Sequence, residues 1–430
     1  MKNFGEKIKI AFKDPMLRKR IGFTVLALVG FRLLAAIPIP SVDPVNLANL
    51  LSSSQLFGFL NIFSGGGLSN LSIVMLGVGP FITASIIIQL LTMIFPRWKN
   101  MLNEEGEAGR MKLSQYSRLI GAPLALVQGA GFLYLLQSQN VLPHLGITAL
   151  IINTIVVAAG SILLMWIGEL ISEFGVGNGV SLIIFAGIVS GLPVSLAQNY
   201  QKLIATGGSD LPFYIAVLVV AVAATLAVVF VTEAERSVPV TYSKQVRGNK
   251  VYGGTSTYLP LRLNQSGVIP IIFALSILLF PQIITSVLSK WDSYPLIAGW
   301  ASSLGVLLAN LWVHGILYFV LVVAFTYFYT AVTFDPKMIS ENLQRSGAFI
   351  PGVRPGDHTR DHLSNIVTRI TLVGALFLGT VAILPLIIQG FSPGNNDQSF
   401  AVGGTALLIV VSVVLDLLKK IDAQVAMREY

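Results

Sequence analysis

PFYIAVLVVAVAATLAVVFVT, residues 212–232, runs for 21 positions without one charged side chain. An α-helix of about 20 mostly apolar residues crosses a bilayer core of about 30 Å, so this stretch has the length and chemistry of a membrane span. Working outward with the same ruler, residues 21–38, 72–95, 119–137, 149–170 and 180–197 qualify before it. Residues 267–288, 303–333, 366–388 and 400–418 qualify after it, which makes ten. The eighth is long enough to tilt or to project into water. Over the 430-residue chain 54% of residues are hydrophobic and 11% are charged, where soluble domains carry about 25%. Lipid, rather than water, is the solvent for most of this surface.

The N-terminus has a basic stretch, Lys7 to Arg20, ahead of the apolar run Ile21 to Ile37. No small-x-small cleavage site follows and the run ends in Pro38-Ile39-Pro40, so it reads as a retained first span rather than a signal peptide. The net charge of +8 is spread over several loops. Placing the N-terminus, alternate loops and C-terminus on one side puts 25 of the 28 Lys and Arg there. They fall as seven in residues 1–20, five each in 96–118, 233–265 and 334–369, and three after 418. The opposite loops hold Lys202 and Lys290, and Arg32 lies within the first span. Basic residues stay on the cytoplasmic side, so both termini are expected there, in keeping with an even number of spans. The chain has no Cys, which removes disulfides, thiolate metal sites and Cys nucleophiles.

Leu56 to Phe63 (LFGFLNIF) is too short to cross and stops at Ser64-Gly65-Gly66-Gly67. It admits two readings, a re-entrant half-helix lining a cavity or an interfacial helix. The largest polar connections, 233–265 and 334–365, lie on the expected cytoplasmic face. The first carries Val246-Arg247-Gly248-Asn249-Lys250-Val251, and a Gly-Asn pair between short β-branched runs predicts a small β-hairpin. Residues 77–86 (GVGPFITASI) and 267–276 (GVIPIIFALS) agree at five of ten positions. They occupy the second and seventh spans, second in each five-span half. An odd number of spans per half gives the halves opposite orientations, the inverted-repeat plan with its path at the interface.

Ionisable groups within the spans are few. Arg32 is expected to snorkel outward, and Glu169 and Asp416 to pair at the membrane interface. Thr83, Ser85 and Gln89 on span 2 are uncharged, and Ser85 and Gln89 share a face. His144, His314, His358 and His362 are scattered; His358 and His362 are i, i+4 but lie in a loop without a zincin-like Glu, where loop polarity accounts for them. Neither a catalytic constellation nor a metal, cofactor or nucleotide motif is found. An ion-coupled secondary transporter with inverted repeats is the alternative to a passive conduit.

From end to end the chain resembles the SecY family, the central channel subunits of bacterial Sec translocons. The resemblance is carried by FRLLAAIPIP (Phe31–Pro40), NIFSGGGLS (Asn61–Ser69), GPFITASIIIQLL (Gly79–Leu91) and EGEAGRMKLSQYSR (Glu105–Arg118). It continues in LLMWIGELISEFGVGNGVSLIIFAGIVSGLP (Leu163–Pro193), VYGGTSTYLPLRLNQSGVIP (Val251–Pro270) and SGAFIPGVRPGDHT (Ser346–Thr359). It implies an all-α membrane fold: ten transmembrane helices in two inverted five-helix halves around an hourglass pore. The halves would be residues 1–197 and 212–430, joined by an external hinge at 198–211. Val78, Ile82, Val180, Ile184, Ile272 and Ile409 match the apolar ring at the waist. A plug helix at about 55–71 matches Asn61, Ile62, Phe63, Ser64, Gly65, Gly66 and Gly67, which selects the re-entrant reading. Thr83, Gln89 and Asn264 match polar positions of a lateral gate between spans 2–3 and 7–8, where apolar segments leave for lipid. Arg247, Lys250, Arg345, Arg354 and Arg360 match the docking site of the SecA ATPase and the ribosome. The family's partners are SecE, SecG, signal sequences and unfolded preproteins. Three positions depart from the family pattern: Ser237-Val238 follows Arg236 where a second basic residue is frequent, Tyr258 stands for His, and Arg262 for Lys.

Overall fold

The structure, a computed structural model, describes residues 14–39, 67–68, 71–95, 97–98, 101, 106–138, 142, 146–205, 207, 211–243, 245–247, 250–252, 254, 256–289, 295–390 and 399–426. Asn61, Ile62, Phe63, Ser64, Gly65 and Gly66 of the expected plug lie outside them, as do Gly248 and Asn249 of the expected hairpin and His144.

Five helices come first: α1 (Pro15–Ala35), α2 (Gly79–Ile94), α3 (Gly106–Ser138), α4 (Ile147–Phe174) and α5 (Gly179–Ala205). Asp14 caps α1 by accepting the Met16 N–H at 3.0 Å, and Pro15 opens it where a missing N–H costs nothing. After α6 (Leu211–Glu233) come four strands, β1 (Glu235–Tyr242), β2 (Gln245–Arg247), β3 (Lys250–Tyr252) and β4 (Ser256–Arg262). Then follow α7 (Ile269–Leu288), α8 (Pro295–Ala309), α9 (Leu311–Thr333), α10 (Pro336–Arg345), β5 (Ala348–Phe349), α11 (Asp357–Gly390) and α12 (Ser399–Ala426). Among the described residues, six helical stretches are long and apolar enough to cross a membrane. They are α3, α4, α5, α6, the run from α9 into α10, and α11.

Four boundaries differ from the sequence expectation. Residues 73–78 are turns, Ser72 bridges to Pro38, and helix begins only at Gly79, after Gly77 takes a φ of +58° that L side chains avoid. The expected eighth span, 303–333, is two helices. Asn310 turns its side-chain oxygen onto the Trp312 N–H at 3.1 Å and starts α9 afresh. The hinge expected at 198–211 is helical through Ala205. The connection expected over 334–365 holds α10, capped by Asp335, then β5 and the opening turns of α11.

Two bundles result. In the first, α2, α3, α4 and α5 pack in sequence while α1 lies on α4 and α5. In the second, α9 packs on α7 and α11, and α12 on α11 and α6. The bundles meet where α7 lies against α2 and α3, and where α12 lies against α5. At one end, β1 pairs antiparallel with β4 from Glu235↔Arg262 to Thr241↔Ser256, and with β5 at Thr241↔Phe349 and Tyr242↔Ala348. Val238, Val240, Leu261, Ala348, Ile350, Leu363 and Ile366 bury a small core beneath that sheet. The two long polar connections, nearly a hundred residues apart in sequence, thus fold as one unit. Beyond it β2 and β3 pair from Gln245↔Tyr252 to Arg247↔Lys250.

Candidate functional site

All six ring positions lie in one large apolar cluster that also takes in side chains of α4, α9 and α11. Val78, Ile82, Ile184, Ile272 and Ile409 are buried members of one apolar cluster, and half-buried Val180 packs against it. Their positions explain how. Val78 precedes α2, Ile82 lies one turn later, Val180 opens α5 and Ile184 follows a turn on. Ile272 sits in the first turn of α7 and Ile409 within α12. Those four helices meet between the bundles, α2 with α7 and α5 with α12. Aliphatic side chains offer a passing ion no ligand, and a narrow apolar constriction excludes ions by dewetting.

The matched segments 77–86 and 267–276 also share backbone geometry. Gly77 has φ +58° and Gly267 φ +62°. In each, helix starts two residues later, with Pro80 and Pro270 at the second helical position. The Ile82 N–H donates to Val78 O at 3.0 Å, and the Ile272 N–H to Val268 O at 3.3 Å.

Among the described residues, no hydrogen bond joins the polar positions assigned to a gate across it. The Thr83 hydroxyl donates to Gly79 O of its own helix at 3.0 Å. Asn264 is buried before α7; its Nδ2 donates to Gly267 O at 3.2 Å and its Oδ1 accepts the Ser266 hydroxyl at 3.2 Å. Gln89 is half-buried on α2, and among the described residues its Oε1 meets no donor. Of the expected plug, Gly67 is described: it is buried, and its carbonyl accepts the Ser72 N–H at 2.9 Å.

The basic residues differ among themselves. Arg354 is exposed in a turn flanked by Gly352 (φ +83°) and Gly356 (φ +93°), and the Thr359 hydroxyl donates to its carbonyl at 2.9 Å. The Ser340 hydroxyl braces the same turn through Gly356 O at 2.7 Å. Among the described residues Arg354 has no carboxylate partner. Arg345 lies 3.6 Å from Glu341. Arg360, on α11, is held 2.9 Å from both Asp357 and Asp361, and these contacts raise its pKa above the ordinary guanidinium value. Arg247 and Lys250 are register partners of the backbone at the end of the β2–β3 ribbon.

The sequence model of SecY matches residues 72–418. The protein translocase subunit SecY of Streptomyces coelicolor is 40% identical, with 98% of this chain and 97% of that protein covered. That of Mycobacterium bovis is 39% identical, with 96% of each covered. The chain belongs to the SecY family. Two solved structures share its fold. One, of a protein conducting channel, has a TM-score of 0.67 at 19% identity, covering 98% of this chain and 97% of that one. The other, Sec61 in a canine ribosome-channel complex, has a TM-score of 0.64 at 18% identity, with 98% and 97% covered.

Within this SecY-family chain, Glu169 and Asp416 pair as expected, with Arg118 on α3 and Lys420 one turn along α12. Arg32 does not snorkel outward. Its Nη2 donates to Ala186 O at 3.1 Å and Gly187 O at 3.4 Å, tying α1 to α5. A charge within a span costs about 2.5–3.5 kcal/mol on insertion scales, and a hydrogen bond from a charged group returns about 1.5–3. The two nearly cancel, so turning inward is affordable. The described histidines, His314, His358 and His362, lie in helices. His358 and His362 lie on α11, and His314, on α9, is 3% exposed with Nδ1 3.1 Å from Gln282 Nε2 of α7. Sequence reasoning missed that pair because it took 303–333 as one helix, which hides the start of α9.

Proposed function

We propose that this chain is the protein-conducting channel subunit of a bacterial Sec translocase, a gated conduit for unfolded polypeptide and for lateral release of apolar segments into lipid. One observation carries the reading: the six ring positions, contributed by both bundles, share one apolar cluster. On this reading ten helices cross the bacterial cytoplasmic membrane with both termini in the cytoplasm, and residues 1–197 and 212–430 form inverted halves. The repeated geometry at Gly77 and Gly267 supports those halves. Val78, Ile82, Val180, Ile184, Ile272 and Ile409 seal the resting pore, and Asn61 to Gly67 plug it. The gate opens where α7 leaves α2 and α3, beside Thr83, Gln89 and Asn264. The unit built on β1, β4 and β5, with the β2–β3 ribbon, is the cytoplasmic dock for SecA and the ribosome, through Arg247, Lys250, Arg345, Arg354 and Arg360. A ribosome-bound relative of the same fold supports the second partner. SecE and SecG complete the complex. The chain is not itself an enzyme, and its partners supply the energy.

Reconstitution tests this. Proteoliposomes holding the chain with SecE should import a signal-bearing preprotein on addition of SecA and ATP. Accumulation of a small solute along an ion gradient instead would make it a secondary transporter. Ile82→Asn with Ile272→Asn should raise ion conductance through the resting channel; conductance at the parent level removes both from the seal.

A further inference from the structure

In the turns that precede α2 and α7, the carbonyls of Gly77 and Gly267 stand at the same position of the repeat. In a membrane interior an unsatisfied carbonyl is expensive, since water is absent. Both are satisfied by a side chain. The Ser161 hydroxyl of α4 donates to Gly77 O at 2.6 Å, 84 residues away. Asn264 Nδ2 donates to Gly267 O at 3.2 Å. Ser161 is 3% exposed and Asn264 7%.

The consequence reaches the apolar cluster through rigid groups. Each carbonyl belongs to the planar peptide that precedes Val78 or Val268. The carbonyl of that valine then accepts the N–H of Ile82 or Ile272. A side chain that fixes the peptide plane therefore fixes the start of the helix, and with it the direction of the isoleucine one turn on. α4 also lies close here: a Cβ added at Gly160 would collide with the Ile73 carbonyl. Ser161 is thus held against the turn by the backbone of its own neighbour.

We infer that Ser161 and Asn264 are positioning residues for the ion seal, one in each half, acting through the carbonyls of Gly77 and Gly267. The inference rests on the proposed seal. It assigns Asn264 to the pore waist rather than to a bond across the gate. The supports are unlike in kind. Ser161 anchors its turn to another helix of the first bundle, whereas Asn264 anchors its turn only to itself.

The test is resting conductance per assembled channel in planar bilayers, for the chain with SecE. Ser161→Ala removes one donor, and Asn264→Leu, with the same number of heavy atoms, removes the other together with the acceptor of the Ser266 hydroxyl. A hydrogen bond of ordinary net strength corresponds to about a fivefold change in an equilibrium, so each should raise resting conductance about fivefold. Ser161→Thr, which keeps the hydroxyl, should stay at the parent level. A purely structural role would lower the amount of assembled channel and leave the conductance of each unchanged, which would overturn the inference. So would a Ser161→Ala chain that fails to assemble while Ser161→Thr assembles and conducts as the parent. Ile82→Asn serves as the reference. If it leaks and both donor variants do not, the positioning roles fall and the seal stands; if it too is silent, the seal itself falls.

Discussion

A single methyl group is enough to probe how closely this chain packs. At Gly179 a Cβ would strike the backbone of Gly168, where α4 and α5 approach at their junction. Backbone cannot step aside, and overpacking of this kind costs about 1–3 kcal/mol. Gly179→Ala should therefore lower the thermal midpoint of the purified protein. Gly22→Ala, where a Cβ meets nothing within 4 Å, should leave it unchanged or raise it, since Ala favours helix over Gly by about 0.5–1 kcal/mol. Equal midpoints for the two would contradict the close approach. Neither glycine is told from the other in the sequence, because the distinction lies in a neighbour many residues away. Arg32 repeats the lesson: its charge was legible, while its carbonyl partners 154 and 155 residues on were not.

Elements were legible where one chemistry held throughout, as in α6, and illegible where a break was local. Asn310 lies between apolar flanks and reads as one polar residue within a long span, yet its side chain ends one helix and begins another. Asn310→Ala should cost about 1 kcal/mol, read as a lower thermal midpoint, with Asn310→Asp close to the parent. At the proposed docking end, rigid turn chemistry marks Arg354 in the sequence, and the Thr359 and Ser340 hydroxyls brace that turn. Arg354→Glu should impair SecA-driven import severalfold, since a repelled rim charge mainly slows association, while the yield of assembled channel stays the same. Arg360→Gln should do less, because that charge already engages Asp357 and Asp361. Loss of import in step with loss of protein would make Arg354 structural.

For the whole molecule, the proposed topology can be read by labelling, because a chain with no Cys gives no background. Pro355→Cys, in the exposed turn beside Arg354, should react with a membrane-impermeant maleimide only after the membrane is opened. Tyr200→Cys, exposed near the far end of α5, should react in intact cells. The reverse pattern would invert the assignment drawn from Lys and Arg placement, and labelling of both in intact cells would reject the proposed crossing between them.

The sequence by itself determined residence in lipid and the helical class, because hydropathy and charge act on each segment independently of its neighbours. It also marked the repeat at 77–86 and 267–276, because a tight turn into a helix needs Gly and Pro at fixed spacing. Only the tertiary structure decided that two distant polar connections share one sheet. Only it gathered aliphatics from α2, α5, α7 and α12, out of many equivalent ones, into one cluster. It alone gave Gly77 O its donor on α4. Those facts depend on which helix faces which, and packing between apolar surfaces leaves no mark on the local sequence.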